Sequence, residues 1–148
     1  MKRLDELAED DRQMLRSRVF KLYEEADAEV ASHGPVCLAS GKCCRFKEYG
    51  HTLFLSHLEA EVLLSSAPAY ETPTDPGFCP FQVNLLCTAR ENRPLGCRVY
   101  YCDANYAGKA EPITEKYVAA LKALSSEYNL GWSYAPLHRF LDARSADL

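Results

Sequence analysis

The sequence lacks features that would place it in several common classes of protein. No stretch approaches the run of about 20 apolar residues needed to cross a membrane. The first residues, MKRLDELAEDDRQ, are charged and lack the apolar segment that a secretory signal peptide contains. The net charge is −4, so we expect no basic face for binding nucleic acid phosphates. These absences predict a cytoplasmic protein that binds neither nucleic acid nor a membrane.

Familiar metal and cofactor motifs are absent as well. The Cys-x2-Cys knuckle of zinc ribbons and the ferredoxin spacing are both missing. The downstream cysteines are instead spaced Cys-x7-Cys, Cys-x9-Cys and Cys-x4-Cys. No glycine-rich nucleotide loop and no Cys-x3-Cys-x2-Cys run of radical chemistry occurs. The spacing therefore does not identify which metal a cysteine site in this chain would bind.

What the chain does have is seven cysteines in 148 residues, all near the middle, in two groups: Cys37, Cys43 and Cys44, then Cys79, Cys87, Cys97 and Cys102. An odd number fits poorly with a closed disulfide framework, and thiols stay reduced in the cytosol. A disulfide-rich secreted domain is the alternative, which the missing signal disfavours. We predict a metal site made from two stretches of chain, whose binding would contribute folding free energy.

Apolar residues recur at helical spacing at both ends of the chain. The pattern predicts one long helix over 4–32, ended by Gly34-Pro35, and a helix over 57–66 with a capping box at Ser56 and Glu59. Further helices are predicted from Pro112 to about residue 129 and after Pro136, and a short β-hairpin should pair residues 81–83 with 86–88. The apolar stripe of the first helix favours a core face, with a homodimer or protein partner on this helix as an alternative.

These elements predict a mainly α, single small domain over residues 1–148. Its long N-terminal helix and its C-terminal helices would pack around two irregular cysteine-rich loops. Residues 37–102 form the expected metal-binding core, and residues 1–34 and 111–143 hold the flanking helices.

Six cysteines are the candidate ligands, namely Cys37, Cys43, Cys44, Cys79, Cys87 and Cys97, with Cys102 in reserve. Adjacent side chains diverge in regular structure, so the sequence leaves open which of Cys43 and Cys44 binds the ion directly. Arginines close to the thiols would balance thiolate charge; these are Arg45, Arg93 and Arg98. His33 and His51 are alternative ligands, although a surface role is more common for such histidines.

The run Cys37-Leu-Ala-Ser-Gly-Lys-Cys43-Cys44 resembles the CxxCxxCC signature of the YkgJ-type cysteine-cluster family. The resemblance continues through a helix with an early glutamate, here Glu59 or Glu61, and a second block with Cys79-Pro-Phe, Cys87 and Arg93-Pro-Leu-Gly-Cys97-Arg98. It covers about residues 37–102. The family implies a bound zinc or iron, either as an ion or in an iron–sulfur cluster. Ser40 stands where the signature has a second cysteine, and a hydroxyl is a poor ligand beside thiolates.

Three functions remain open at this point. The first is a metal-binding protein with a cysteine-ligated zinc or iron centre. The second is an enzyme that uses the centre for redox or group-transfer chemistry, since some relatives of the resembled family are similar to flagellin lysine N-methylases. The third is an interaction module in which a closed zinc site holds the loops together and an apolar patch is exposed.

Overall fold

A computed structural model describes residues 3–35, 52–65, 68–70, 79–83, 86–99, 101, 104–106 and 108–146. Within these ranges the fold is mainly helical, as predicted. The helices are α1 (Glu9–His33), α2 (His57–Leu64), α3 (Leu95–Val99), α4 (Ala110–Glu127) and α5 (Leu137–Ala146). The strands are β1 (Phe54–Ser56), β2 (Gln82–Val83), β3 (Leu86–Cys87) and β4 (Tyr134–Pro136), and short 3-10 turns occupy Leu4–Glu6, Arg90–Asn92 and Ala104–Tyr106.

The first helix begins later than its apolar pattern predicted. Residues Leu4–Glu6 form a separate 3-10 turn, and Leu7 and Ala8 are extended before α1 starts at Glu9. Three acidic residues fill the first turn of α1, where negative charge is favoured by the helix dipole. Leu7 is buried and belongs to the main core cluster, so it contacts the core from outside the helix. The predicted end is confirmed, because Gly34 adopts the left-handed conformation with φ of 63°.

The apolar stripe of α1 forms the main core within this chain. Leu15, Val19, Tyr23, Ala26 and Val30 are all buried. They cluster with residues from α2, α3 and α4. Their spacing of three or four residues places them on one face of the helix, so this stripe is a core face.

In the described ranges, two small two-stranded sheets accompany the helices. The predicted hairpin is confirmed, with Gln82 opposite Cys87 and Val83 opposite Leu86. The second ladder was not predicted: β1 pairs with β4 in antiparallel fashion, with Leu55 opposite Ala135. It joins two segments about 80 residues apart, a pairing that no local pattern reveals.

Helix α2 separates two hydrophobic clusters. Leu58 and Val62 belong to the main core with α1, α3 and α4. Ala60 and Leu63 belong to a second cluster, which also contains residues of β1, the hairpin region and α5. A helix that is apolar on both sides is typically buried between other elements. Three of the downstream cysteines, Cys79, Cys87 and Cys97, lie in or against this second cluster.

The C-terminal helices depart slightly from their predicted bounds. Helix α4 starts at Ala110, so Pro112 is its third residue, still within the first turn where a missing N–H costs no helical hydrogen bond. Asn129, with φ of 57°, follows the end of α4. Pro136 belongs to β4, and α5 begins at Leu137. None of the helices in the described ranges is both long enough and apolar enough to cross a lipid bilayer.

Candidate metal centre

Three of the predicted ligands lie in the described part of the chain, and all three are at the second hydrophobic cluster. Cys79 is buried within it. Cys87, at the end of β3, and Cys97, in the middle of α3, are half-buried and pack against it. Because thiols from the hairpin and from α3 meet one core cluster, the fold brings distant parts of the downstream cysteine block into one region.

Backbone hydrogen bonds of the hairpin position Cys79 and Cys87. The Cys79 carbonyl accepts from the Gln82 backbone N–H at 3.3 Å, which forms the turn that leads into β2. The Phe81 carbonyl accepts from both the backbone N–H and the hydroxyl of Thr88, at 2.7 and 2.6 Å. These bonds continue the ladder beyond Cys87, and Phe81 anchors it because its side chain is 2% exposed.

Gly96, the neighbour of Cys97, lies close to the start of β1. A Cβ atom added at Gly96 would lie 2.7 Å from Cδ1 of Leu53 and 3.8 Å from the Phe54 carbonyl oxygen. The first distance is shorter than real side chains allow, so glycine lets α3 approach the start of β1. The backbone N–H of Cys97 donates to the Pro94 carbonyl at 3.0 Å, which closes the first turn of α3.

Arg98 ties the same segment to α1. Its side chain is 9% exposed, and its Nη1 donates to the Asp27 carboxylate at 2.9 Å. Its Nε and Nη2 donate to the carbonyl oxygens of Arg93 and Glu91 at 2.7 and 2.6 Å. The guanidinium also lies over the ring of Tyr23, 4.2 Å from the centroid, an attractive geometry for a cation. The charge of Arg98 is thus directed at Asp27 and Tyr23 on α1.

The carboxylate of Glu59 ties the segment to α2. Glu59 is 1% exposed, and its Oε2 accepts from the backbone N–H and the hydroxyl of Ser56 at 2.8 and 3.0 Å. With the return bond from the Glu59 N–H to the Ser56 hydroxyl, this completes the predicted capping box. The other oxygen, Oε1, accepts from the backbone N–H of Leu95 at 2.7 Å. One side chain therefore caps α2 and also binds the first residue of α3.

Burial is the largest influence on the pKa values of Glu59 and of its neighbour Tyr23. Removal from water raises the pKa of Glu59, and the hydrogen bonds from Ser56 and Leu95 partly offset the increase. Burial also raises the pKa of Tyr23, with further contributions from the nearby Glu59 and Cys97 and an opposing one from Arg98. The Tyr23 hydroxyl lies near the Glu59 carboxylate, yet no hydrogen bond of ordinary geometry satisfies it.

The other predicted ligands lie outside the described residues. These are Cys37, Cys43, Cys44 and the reserve Cys102, together with Ser40, Arg45 and the alternative ligand His51. Within the described ranges, no three histidine, cysteine or acidic side chains are grouped closely enough to hold a metal ion. The downstream thiols have the soft donor chemistry that suits zinc or iron, but a complete centre would need ligands from beyond these ranges.

Two more of the predicted site residues, Arg93 and His33, lie in the described part of the chain. The Arg93 side chain is half-buried, and its carbonyl accepts from Arg98. The His33 ring meets the edge of Tyr106, with centroids 6.3 Å apart. Arg93 and Arg98 lie on the same short segment of chain as Cys97, whereas His33 lies at the end of α1.

Sequence reasoning missed the partners that hold the Cys97 segment. Tyr23 is one residue of the apolar stripe of α1, and neither it nor Asp27 was predicted as a partner of Arg98. Their separation of four residues places them on neighbouring turns of one helix face. An acidic residue one helical turn after a tyrosine of the apolar stripe could have indicated a cation-binding position. This pattern does not identify which cation binds there.

Comparisons of the whole chain with protein-family models, with curated proteins and with solved structures produced no match.

Proposed function

We propose that this chain is a metal-binding protein with a cysteine-ligated zinc or iron centre. The observation that supports the proposal most directly is that Cys79, Cys87 and Cys97 all pack in or against one hydrophobic cluster. Cysteine is a common buried residue in its own right. Three cysteines that pack on one cluster from different segments, in a chain with four more, are consistent with part of a ligand set that residues beyond the described ranges would complete.

The ligand set that we propose has a contribution from each cysteine group. Cys79, Cys87 and Cys97 supply the downstream thiolates, and the upstream ligands come from Cys37, Cys43 and Cys44, with Cys102 in reserve. Thiolate ligands suit zinc, iron and iron–sulfur clusters alike. Joining two stretches through one metal would add metal-binding free energy to folding. Because such a site needs reduced thiols, we place the protein in the cytoplasm.

Metal analysis of protein purified without oxygen tests this proposal. We expect at least one zinc or iron per chain; iron with acid-labile sulfide would identify a cluster, and colourless protein with zinc would identify a zinc site. Cys97→Ser should lower the metal content. Met14→Ser is the matched control, since it removes a sulfur-bearing side chain that is 56% exposed on α1. Wild-type protein that stays metal-free after reconstitution with either metal would contradict the proposal.

A zinc-stabilised interaction module is the second candidate, favoured by an exposed aromatic pair. Phe54 of β1 and Tyr134 of β4 are 43% and 40% exposed, and their rings stack with centroids 5.8 Å apart. Exposed apolar patches often mark interaction sites. The double variant Phe54→Ser, Tyr134→Ser should keep its metal and lose any partner that co-purifies with the wild type. Equal recovery of that partner with both proteins would count against this candidate.

A further inference from the structure

The segment from Glu91 to Val99, which carries Cys97, is held by two side chains that form no part of the proposed ligand set. Glu59 binds the first N–H of α3 from the α2 side. Arg98 binds two carbonyls of the same segment and the carboxylate of Asp27 from the α1 side. Cys97 lies two residues after Leu95 and directly before Arg98. Its backbone is therefore restrained on both sides by contacts that need no metal.

The chemistry at Glu59 requires a carboxylate. Its two oxygens receive three donors from two directions, Ser56 on one side and Leu95 on the other. A glutamine of the same shape has one acceptor oxygen and one NH2 group, which only donates. In one orientation of the glutamine amide, its oxygen lies toward Ser56 and its NH2 group points at the Leu95 N–H. In the other orientation, its oxygen lies toward Leu95 and its NH2 group points at the Ser56 N–H. Either orientation leaves a buried donor unsatisfied, because Glu59 is 1% exposed.

We propose that Glu59 and Arg98 are positioning residues of the metal centre, which hold the α3 segment so that the Cys97 thiol is preorganised as a ligand. This inference rests on the proposed function, in which Cys97 is a ligand. Groups that orient a metal ligand without touching the metal typically contribute about 10–100-fold to affinity. Glu59 acts through the Leu95 backbone, and Arg98 acts through the carbonyls of Glu91 and Arg93.

The chain offers a matched control on the same helix. Glu61 is two residues from Glu59 and also carries a carboxylate in ion pairs, with Arg12 at 2.9 Å and Arg16 at 3.1 Å. These contacts join α2 to α1 without involving the Cys97 segment. Glu61→Gln therefore removes a half-buried charge from the same helix, and it leaves the restraint on α3 in place.

The test measures cobalt(II) affinity and the thiolate-to-cobalt absorption band of wild-type protein, Glu59→Gln and Glu61→Gln. We expect cobalt affinity to fall about 10–100-fold in Glu59→Gln, with a weaker thiolate band, and to stay near the wild-type value in Glu61→Gln. In metal-free protein, mass spectrometry should show faster alkylation of Cys97 in Glu59→Gln alone. Far-UV circular dichroism establishes that each variant is folded.

A milder variant covers the case in which Glu59→Gln does not fold. Asp27 has a side chain that is 47% exposed, so Asp27→Asn removes the charge that holds Arg98 without burying a new polar group. It should lower cobalt affinity and speed Cys97 alkylation in the same direction, by a smaller factor.

Failure of this inference differs from failure of the proposed function. If wild-type protein binds cobalt and the Glu59→Gln and Glu61→Gln variants match it in affinity and spectrum, the positioning role is overturned and the metal site stands. If wild-type protein binds no metal, the proposed function and this inference both fall. If Glu59→Gln is unfolded, unchanged affinity and alkylation in Asp27→Asn overturn the positioning role.

Discussion

Replacing Arg98 by lysine should destabilise the protein strongly although the charge is kept. The guanidinium makes hydrogen bonds of 2.6, 2.7 and 2.9 Å in three directions and lies over the Tyr23 ring. A lysine ammonium has no planar fork, so from the same backbone position it can satisfy about one of these partners. The carbonyls of Glu91 and Arg93 would lose their donor.

The expected size of the effect follows from the bonds that are lost. Each hydrogen bond to a charged group contributes about 1.5–3 kcal/mol. The lower figure applies to the two lost bonds, because Glu91 is exposed and Arg93 is only half-buried. Two lost bonds correspond to about 3 kcal/mol, which lowers Tm by about 9 °C in a chain of this length.

Urea and thermal unfolding, followed by circular dichroism on metal-free protein, measure this change. Arg18→Lys is the matched control. Arg18 pairs with Glu127 at 2.7 Å, but the side chains are 40% and 57% exposed, so its replacement should cost less than about 1 kcal/mol. If Arg98→Lys loses no more stability than Arg18→Lys, the three-way contact of Arg98 does not contribute as argued.

Three other substitutions test separate parts of the fold. Leu141→Ala should lower the free energy of unfolding by about 2–5 kcal/mol in urea, because Leu141 is fully buried. Met14→Ala, at an exposed position, is the control and should be nearly neutral. Equal losses of stability in the two variants would contradict the assignment of Leu141 to the core. Ser56→Ala should cost about 0.5–2 kcal/mol by removing the cap of α2, and a loss below that range would mean that the cap is dispensable. Burial lowers the pKa of His57 from its ordinary value of 6.5, against a smaller opposing contribution from the Ser133 backbone, so the unfolded chain binds more protons as the pH falls below 6.5. The difference in unfolding free energy between wild type and His57→Gln should therefore shift against the wild type as the pH drops below 6.5, and a constant difference between pH 8 and pH 5 would refute this.

Local sequence signals predicted the elements that depend on local physics. The capping box at Ser56 and Glu59, the end of α1 at Gly34 and the hairpin of β2 and β3 are all confirmed. Each depends on contacts between residues only a few positions apart, so the sequence pattern contains them. The start of α1 was predicted five residues too early, because Leu4 and Leu7 continue its apolar spacing although they lie outside the helix.

The sequence could not predict which partners the candidate site residues have. Arg98 was expected to balance thiolate charge, and the structure directs its guanidinium to Asp27, 71 positions away along the chain. Glu59 was expected to cap α2, and its second bond to Leu95 spans 36 positions. Any of several acids could have paired with Arg98, so only the packing of α1 against α3 selects Asp27.

The sequence by itself determined the helical class, the caps and turns, and the concentration of thiols in the middle of the chain, since all of these depend on composition and short spacing. Tertiary structure alone decided that β1 pairs with β4, that α2 lies between two hydrophobic clusters, and that Cys79, Cys87 and Cys97 meet one of them. These features join residues tens of positions apart. Their geometry is selected by packing and by the need to satisfy buried polar groups such as the Glu59 carboxylate.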